Sequence, residues 1–191
     1  MAPEKSRSRM PAWVNLPNLL TLLRLALVPV VIYLIVAGRY FAGAWVFGAA
    51  AFTDILDGAA ARWMGVSTLT GAYLDPIADK CLLSGVYLAL AWAHLVPWWL
   101  VAIIFGRDIY ILIGVGIFML FTPVRQFPPS VWGKVSTFVQ ISTAVLWMAR
   151  IIFGTPVLRG ISSAMLWPCT AFTVWSGVDY TWKGIHSYSK Y

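Results

Sequence analysis

Six apolar runs dominate the chain, at about 16–37, 41–62, 72–94, 97–121, 131–153 and 161–182. Each is near the length of a membrane-spanning helix, which needs roughly 20 apolar residues to cross a hydrocarbon layer about 30 Å thick. Short breakers part them: Gly38-Arg39, Gly65 to Thr70, His94 to Pro97, Pro123 to Pro129 and Gly154-Thr155-Pro156. The expected fold is an all-α integral membrane protein of one domain, with six transmembrane helices over 16–191 behind a basic cytoplasmic segment at 1–15. Composition agrees, since 60% of the 191 residues are hydrophobic and only 11% charged, against about a quarter charged in soluble domains. An ordinary cytosolic domain and a disordered chain are thereby excluded. The first apolar run is too long for a signal-peptide core and has no clear cleavage site, so an uncleaved first helix is expected.

The basic residues set the orientation. With six spans, one side holds Lys5, Arg7, Arg9, Arg62, Arg125, Lys183 and Lys190, and the opposite loops hold Arg39 and Arg159. Cytoplasmic loops carry the excess of Lys and Arg, so both termini are expected in the cytoplasm. The net charge of +7 is spread over segment ends, which argues for a membrane rim and against a nucleic-acid partner. Cys81 and Cys169 stand alone in apolar runs and suggest neither a disulfide framework nor a zinc site. Trp98-Trp99, Trp167, Trp182 and Tyr188 read as an interfacial aromatic belt.

The acids are more telling. Only seven exist, and four of them, Asp54, Asp57, Asp75 and Asp79, fall within 26 consecutive residues of otherwise apolar sequence. An unpaired carboxylate in a membrane segment is costly, so such residues mark function. Asp54 and Asp57 share a helix face by their i, i+3 spacing, as Asp75 and Asp79 do by i, i+4. An antiparallel return between helices two and three can bring the faces together at the cytoplasmic side. Four carboxylates repel unless protonated or bound to cations, and an all-oxygen set favours Mg²⁺, Mn²⁺ or Ca²⁺. Two hard cations at one such site suit phosphoryl chemistry. Gly58, Ala59, Ala60, Ala61 and Gly71 supply either close helix packing or a smooth wall for a flat group. Arg62 is either a rim cation or a contact for an anionic ligand.

The spacing Asp54-x2-Asp57-Gly58-x2-Ala61-Arg62-x8-Gly71-x3-Asp75-x3-Asp79 resembles the signature of the CDP-alcohol phosphatidyltransferase family at every fixed position and gap. The opening NLPNLLTLLRLALVPV is similar to that of its glycerophospholipid branch. The resemblance implies transfer of a phosphatidyl group from CDP-diacylglycerol to an alcohol, with release of CMP, in phospholipid biosynthesis. It implies that Asp54, Asp57, Asp75 and Asp79 surround two divalent cations, Mg²⁺ or Mn²⁺. Asp79 would also be the general base for the acceptor hydroxyl. By the same resemblance Asp57, Gly58, Ala61, Arg62 and Gly71 bind CDP-diacylglycerol. A homodimer in membrane lipid, in a bacterial inner membrane with the site facing the cytoplasm, is implied as well.

Two branches share the Asn15, Pro17, Asn18, Thr21 and Arg24 pattern. One makes phosphatidylglycerophosphate from glycerol 3-phosphate, the other cardiolipin from phosphatidylglycerol. The first typically carries Ala-Arg-Glu and then a second Arg on helix four; here the chain reads Gly106-Arg107-Asp108, with Val115 at the second position. The Gly-Arg-Asp form and the stretch from Gly133 through Lys134 to Gln140 look more like the cardiolipin-forming branch. A dianionic phosphate monoester needs the bidentate guanidinium more than a phosphodiester does, so phosphatidylglycerol is the expected acceptor and glycerol 3-phosphate the alternative. Arg107 and Lys134 are the expected acceptor contacts; the competing structural role is an Arg107–Asp108 pair and a snorkelling rim lysine. A cation or proton transporter is the rival class, but it predicts acids along a path across the bilayer. His94 and His186 stand apart from the acids at segment ends.

Overall fold

A computed structural model describes the backbone of residues 16–64, 69–121 and 130–188, and the side chains of 19–53, 77–114 and 130–183. Among the described residues there are six helices and no strand: α1 Leu16–Val36, α2 Tyr40–Met64, α3 Leu69–Trp92, α4 Trp98–Phe121, α5 Val131–Phe153 and α6 Pro156–Tyr188. The all-helical class expected from the apolar runs is observed. The windows Leu19–Val36 and Val131–Phe153 are each long and apolar enough to cross a membrane.

The main departure from the sequence reading is α6, which begins at Pro156 and runs to Tyr188. Arg159 and Gly160 interrupt the apolar run without interrupting the helix. Gly154 ends α5 in the left-handed region at φ 65°, its N–H donating to the Arg150 carbonyl. Pro156 then opens α6 at a position where its missing N–H costs nothing. One consequence concerns the aromatic belt. Trp98, Trp99 and Trp182 lie near helix ends, whereas Trp167 lies well inside α6, and all four are exposed.

Helix α1 packs against α3 and α2, α5 packs along α6, and α4 leans on α6. The core is built from Val31, Ile35, Phe47, Val86, Leu90 and Ile104. At Gly85 of α3, a Cβ atom would stand 3.1 Å from both Ile32 Cδ1 and Val28 Cγ1, so glycine sets how closely α1 approaches. Several polar residues lie inside beside this apolar core, and many large apolar ones lie outside. Arg24, Ser136, Gln140 and Thr173 are fully buried, while Leu112 is 74% and Trp167 75% exposed. That inversion fits a chain whose outer surface meets lipid. Tyr87 of α3 donates to the Gln140 carbonyl at 2.8 Å, and Gln140 Nε2 donates to Thr173 Oγ1 of α6 at 2.9 Å. This network ties α3, α5 and α6 together.

Candidate active site

Five of the expected site residues, Asp54, Asp57, Gly58, Ala61 and Arg62, fall in the last turns of α2. Gly71, Asp75 and Asp79 fall in the first turns of α3. Of these eight, only the Asp79 side chain is among the described residues. The expected convergence of four carboxylates therefore lies outside them. Among the described residues no three metal-ligating side chains cluster.

Asp79 itself is met by a partner from α1. Arg24 Nη1 donates to Asp79 Oδ1 at 2.5 Å, with the Arg24 side chain wholly buried and that of Asp79 44% exposed. Thr21, one turn before Arg24 on the same face, is also buried. The sequence reading used Arg24 only as a branch marker and missed this pairing. The available signal was a lone arginine in a 21-residue apolar helix, which must find an anion inside the bundle.

A second cluster forms where α3, α4, α5 and α6 meet. Arg107 of α4 donates through Nη1 to Asp108 Oδ1 at 2.7 Å and through Nη2 to Ser176 Oγ of α6. Its guanidinium carbon stands 5.8 Å from the centroid of the Tyr180 ring. Lys80 of α3 donates to the same Asp108 oxygen at 2.6 Å. One carboxylate thus holds two cations. A cavity of about 410 Å³ opens beside them, lined among others by Lys80, Arg107, Ser130, Gly133, Lys134 and Tyr180.

Arg107 and Lys134, 27 residues apart in sequence, share this one cavity. The Arg107–Asp108 pair that was the competing structural role is also formed. Lys80 was not singled out from sequence; it directly follows Asp79 on α3. Three cations against Asp108 leave the rim net positive, which suits an anionic ligand.

The start of α5 is anchored to α6. Ser130, the residue before the helix, makes no side-chain cap to its own helix. Its hydroxyl instead donates to Asp179, and Lys183 reaches both Ser130 Oγ at 3.1 Å and Asp179 at 2.9 Å. A Cβ at Gly133 would lie 3.3 Å from the Tyr180 ring and 3.5 Å from Arg107 Nη2, so glycine lets α5 close on both. These contacts hold Lys134, one turn into α5, at the cavity mouth. Cys81 and Cys169 are both free thiols.

A family model for the CDP-alcohol phosphatidyltransferases matches residues 14–175. Among similar curated proteins is a cardiolipin synthase (CMP-forming) of Rattus norvegicus, 34% identical over 175 residues that cover 83% of this chain and 57% of the rat protein. A probable phosphatidylglycerophosphate synthase of Mycobacterium tuberculosis (strain ATCC 25618 / H37Rv) is 34% identical over 178 residues, covering 90% of this chain and 82% of the relative. A CDP-diacylglycerol--glycerol-3-phosphate 3-phosphatidyltransferase of Bacillus subtilis (strain 168) is 32% identical over 182 residues, covering 87% and 93%. The chain spans little more than half the length of the rat protein and most of the bacterial ones.

Proposed function

The chain belongs to the CDP-alcohol phosphatidyltransferase family, and on that premise we propose that it transfers a phosphatidyl group from CDP-diacylglycerol to phosphatidylglycerol, forming cardiolipin and CMP. The acceptor hydroxyl oxygen attacks the phosphorus that carries diacylglycerol. A new P–O bond forms, the P–O bond to CMP breaks with its electron pair leaving on CMP, and the hydroxyl proton passes to the Asp79 carboxylate. Asp54, Asp57, Asp75 and Asp79 would hold two divalent cations, Mg²⁺ or Mn²⁺, which when bound would neutralise the diphosphate and the charge developing on displacement. An all-carboxylate donor set fits hard cations, and the Asp79 side chain is 44% exposed. Asp57, Gly58, Ala61, Arg62 and Gly71 bind the CDP-diacylglycerol. The six helices span the membrane with both termini and the aspartates on the cytoplasmic side of a bacterial inner membrane, and the working unit is a homodimer.

The observation that carries the acceptor assignment is the commitment of Arg107. Both its terminal nitrogens are engaged, by Asp108 and Ser176, and position 115 supplies valine where a second arginine would grip a phosphate dianion. A singly charged phosphodiester matches that supply. The second reading, glycerol 3-phosphate as acceptor, is favoured by Lys80 and Lys134 on the same cavity wall. Nothing observed favours a cation or proton transporter. The test is direct: purified protein in vesicles with CDP-diacylglycerol, Mg²⁺ or Mn²⁺, and each acceptor separately. Cardiolipin formation with phosphatidylglycerol supports the assignment. Product from glycerol 3-phosphate alone replaces it with the second reading.

A further inference from the structure

A groove of about 420 Å³ runs between α4 and α6, with Arg107 but not Lys134 in its lining. Ala102, Gly106 and Tyr110 line it from α4, and Val174, Gly177 and Val178 from α6. The two helices run parallel here, Arg107 meeting Ser176 and Tyr110 meeting Thr181 at 2.7 Å. Residues 102 to 110 follow the groove for about 12 Å at the helical rise. Gly106 faces open space, since a Cβ there would meet nothing within 4 Å. Half-exposed Val174 and Val178 leave the groove open along the outer, apolar surface.

The groove does not stand alone. Arg107 lines both it and the cationic cavity. The side chain is 91% buried, being 9% exposed, and its Nε is a buried donor with no hydrogen-bond partner. A buried guanidinium with an unfilled donor between a polar cavity and an apolar groove is complementary to a molecule with an anion at one end and a hydrocarbon tail beside it. A water-soluble acceptor has no use for the groove.

We infer that the α4–α6 groove seats one acyl chain of the lipid acceptor while its phosphodiester lies at Arg107. This rests on the reading of the acceptor as a phospholipid, and it makes the groove a determinant of acceptor chain length.

The test uses the purified full chain with CDP-diacylglycerol held constant. Dioleoyl-phosphatidylglycerol, short-chain dihexanoyl-phosphatidylglycerol and glycerol 3-phosphate serve as acceptors in separate reactions. Gly106→Leu projects an apolar side chain into the groove from a position where a Cβ would meet nothing within 4 Å. It is expected to lower the ratio of kcat/KM for dioleoyl over dihexanoyl acceptor at least fivefold, chiefly through KM. Gly114→Leu, on the same helix outside the groove, leaves that ratio as in the wild type. If Gly106→Leu keeps the wild-type ratio, the groove is ordinary lipid-facing surface and the inference fails alone. Equal loss with both lipids, accompanied by loss of a dimer, assigns the groove to a second copy and also overturns it. A wild type that uses only glycerol 3-phosphate removes the acceptor reading and this inference with it.

Discussion

Arg24 and Asp79 form an ion pair across the α1–α3 interface, with 2.5 Å between Nη1 and Oδ1. The guanidinium is wholly enclosed and the carboxylate is not. The pair therefore ties a partly exposed Asp79 side chain to a buried cation of α1. Arg24 is a positioning residue in this arrangement. Arg24→Lys keeps the charge but not the planar fork. It is expected to cut kcat about tenfold, roughly 1.4 kcal/mol, with KM for CDP-diacylglycerol within about twofold of wild type. A merely structural role predicts lower stability with unchanged kcat in the folded fraction, so thermal unfolding and kcat measured together decide.

If Asp79 takes the acceptor proton, Asp79→Asn removes the base while keeping an oxygen for Arg24 to donate to. General-base catalysis contributes about 10²–10⁴-fold, and CMP release should fall by at least that much. CDP-diacylglycerol binding, followed by equilibrium titration, should persist. Turnover within tenfold of wild type would discard Asp79 as the base.

The fold was legible in the sequence because the length of an apolar helix and the breakers at its ends are written directly into the chain. Five of the six apolar runs agree with α1 to α5 within a few residues. The sixth fell short because Arg159 and Gly160 break hydropathy but not backbone geometry. Pairing between distant helices was less legible. Nothing in local spacing says that Arg24 meets Asp79, 55 residues on, or that Lys80 and Arg107 share Asp108. Arg107 and Lys134 were expected to contact one acceptor; the cavity they share is a product of tertiary packing, with Ser130, Asp179 and Lys183 as the clamp. Ser130 makes no side-chain cap to α5, and its hydroxyl instead serves α6.

The aspartate cluster makes a separate prediction. Chelation with EDTA should abolish CMP release, and Mg²⁺ or Mn²⁺ should restore it without refolding. Asp57→Asn or Asp75→Asn should raise the metal concentration for half-maximal activity about tenfold or more, since each removes one anionic oxygen ligand. Activity in excess chelator would rule out the metal-assisted reaction.

Asp108 offers a way to move acceptor preference through charge alone. It neutralises part of a rim that otherwise carries Lys80, Arg107 and Lys134. Asp108→Asn raises the charge of the cavity by one without shortening the side chain. A second negative charge on the ligand, ~8 Å away at an effective dielectric near 20, then gains about 2 kcal/mol. A phosphate monoester dianion carries that second charge and a phosphodiester does not. In a competition assay containing both acceptors, Asp108→Asn should raise the ratio of phosphatidylglycerophosphate to cardiolipin formed about thirtyfold, at about 1.4 kcal/mol per factor of ten. Total turnover should fall as well, because Lys80 and Arg107 lose the group that positions them. An unchanged product ratio in a stably folded variant would place acceptor discrimination elsewhere and leave Asp108 a purely structural partner of the two cations.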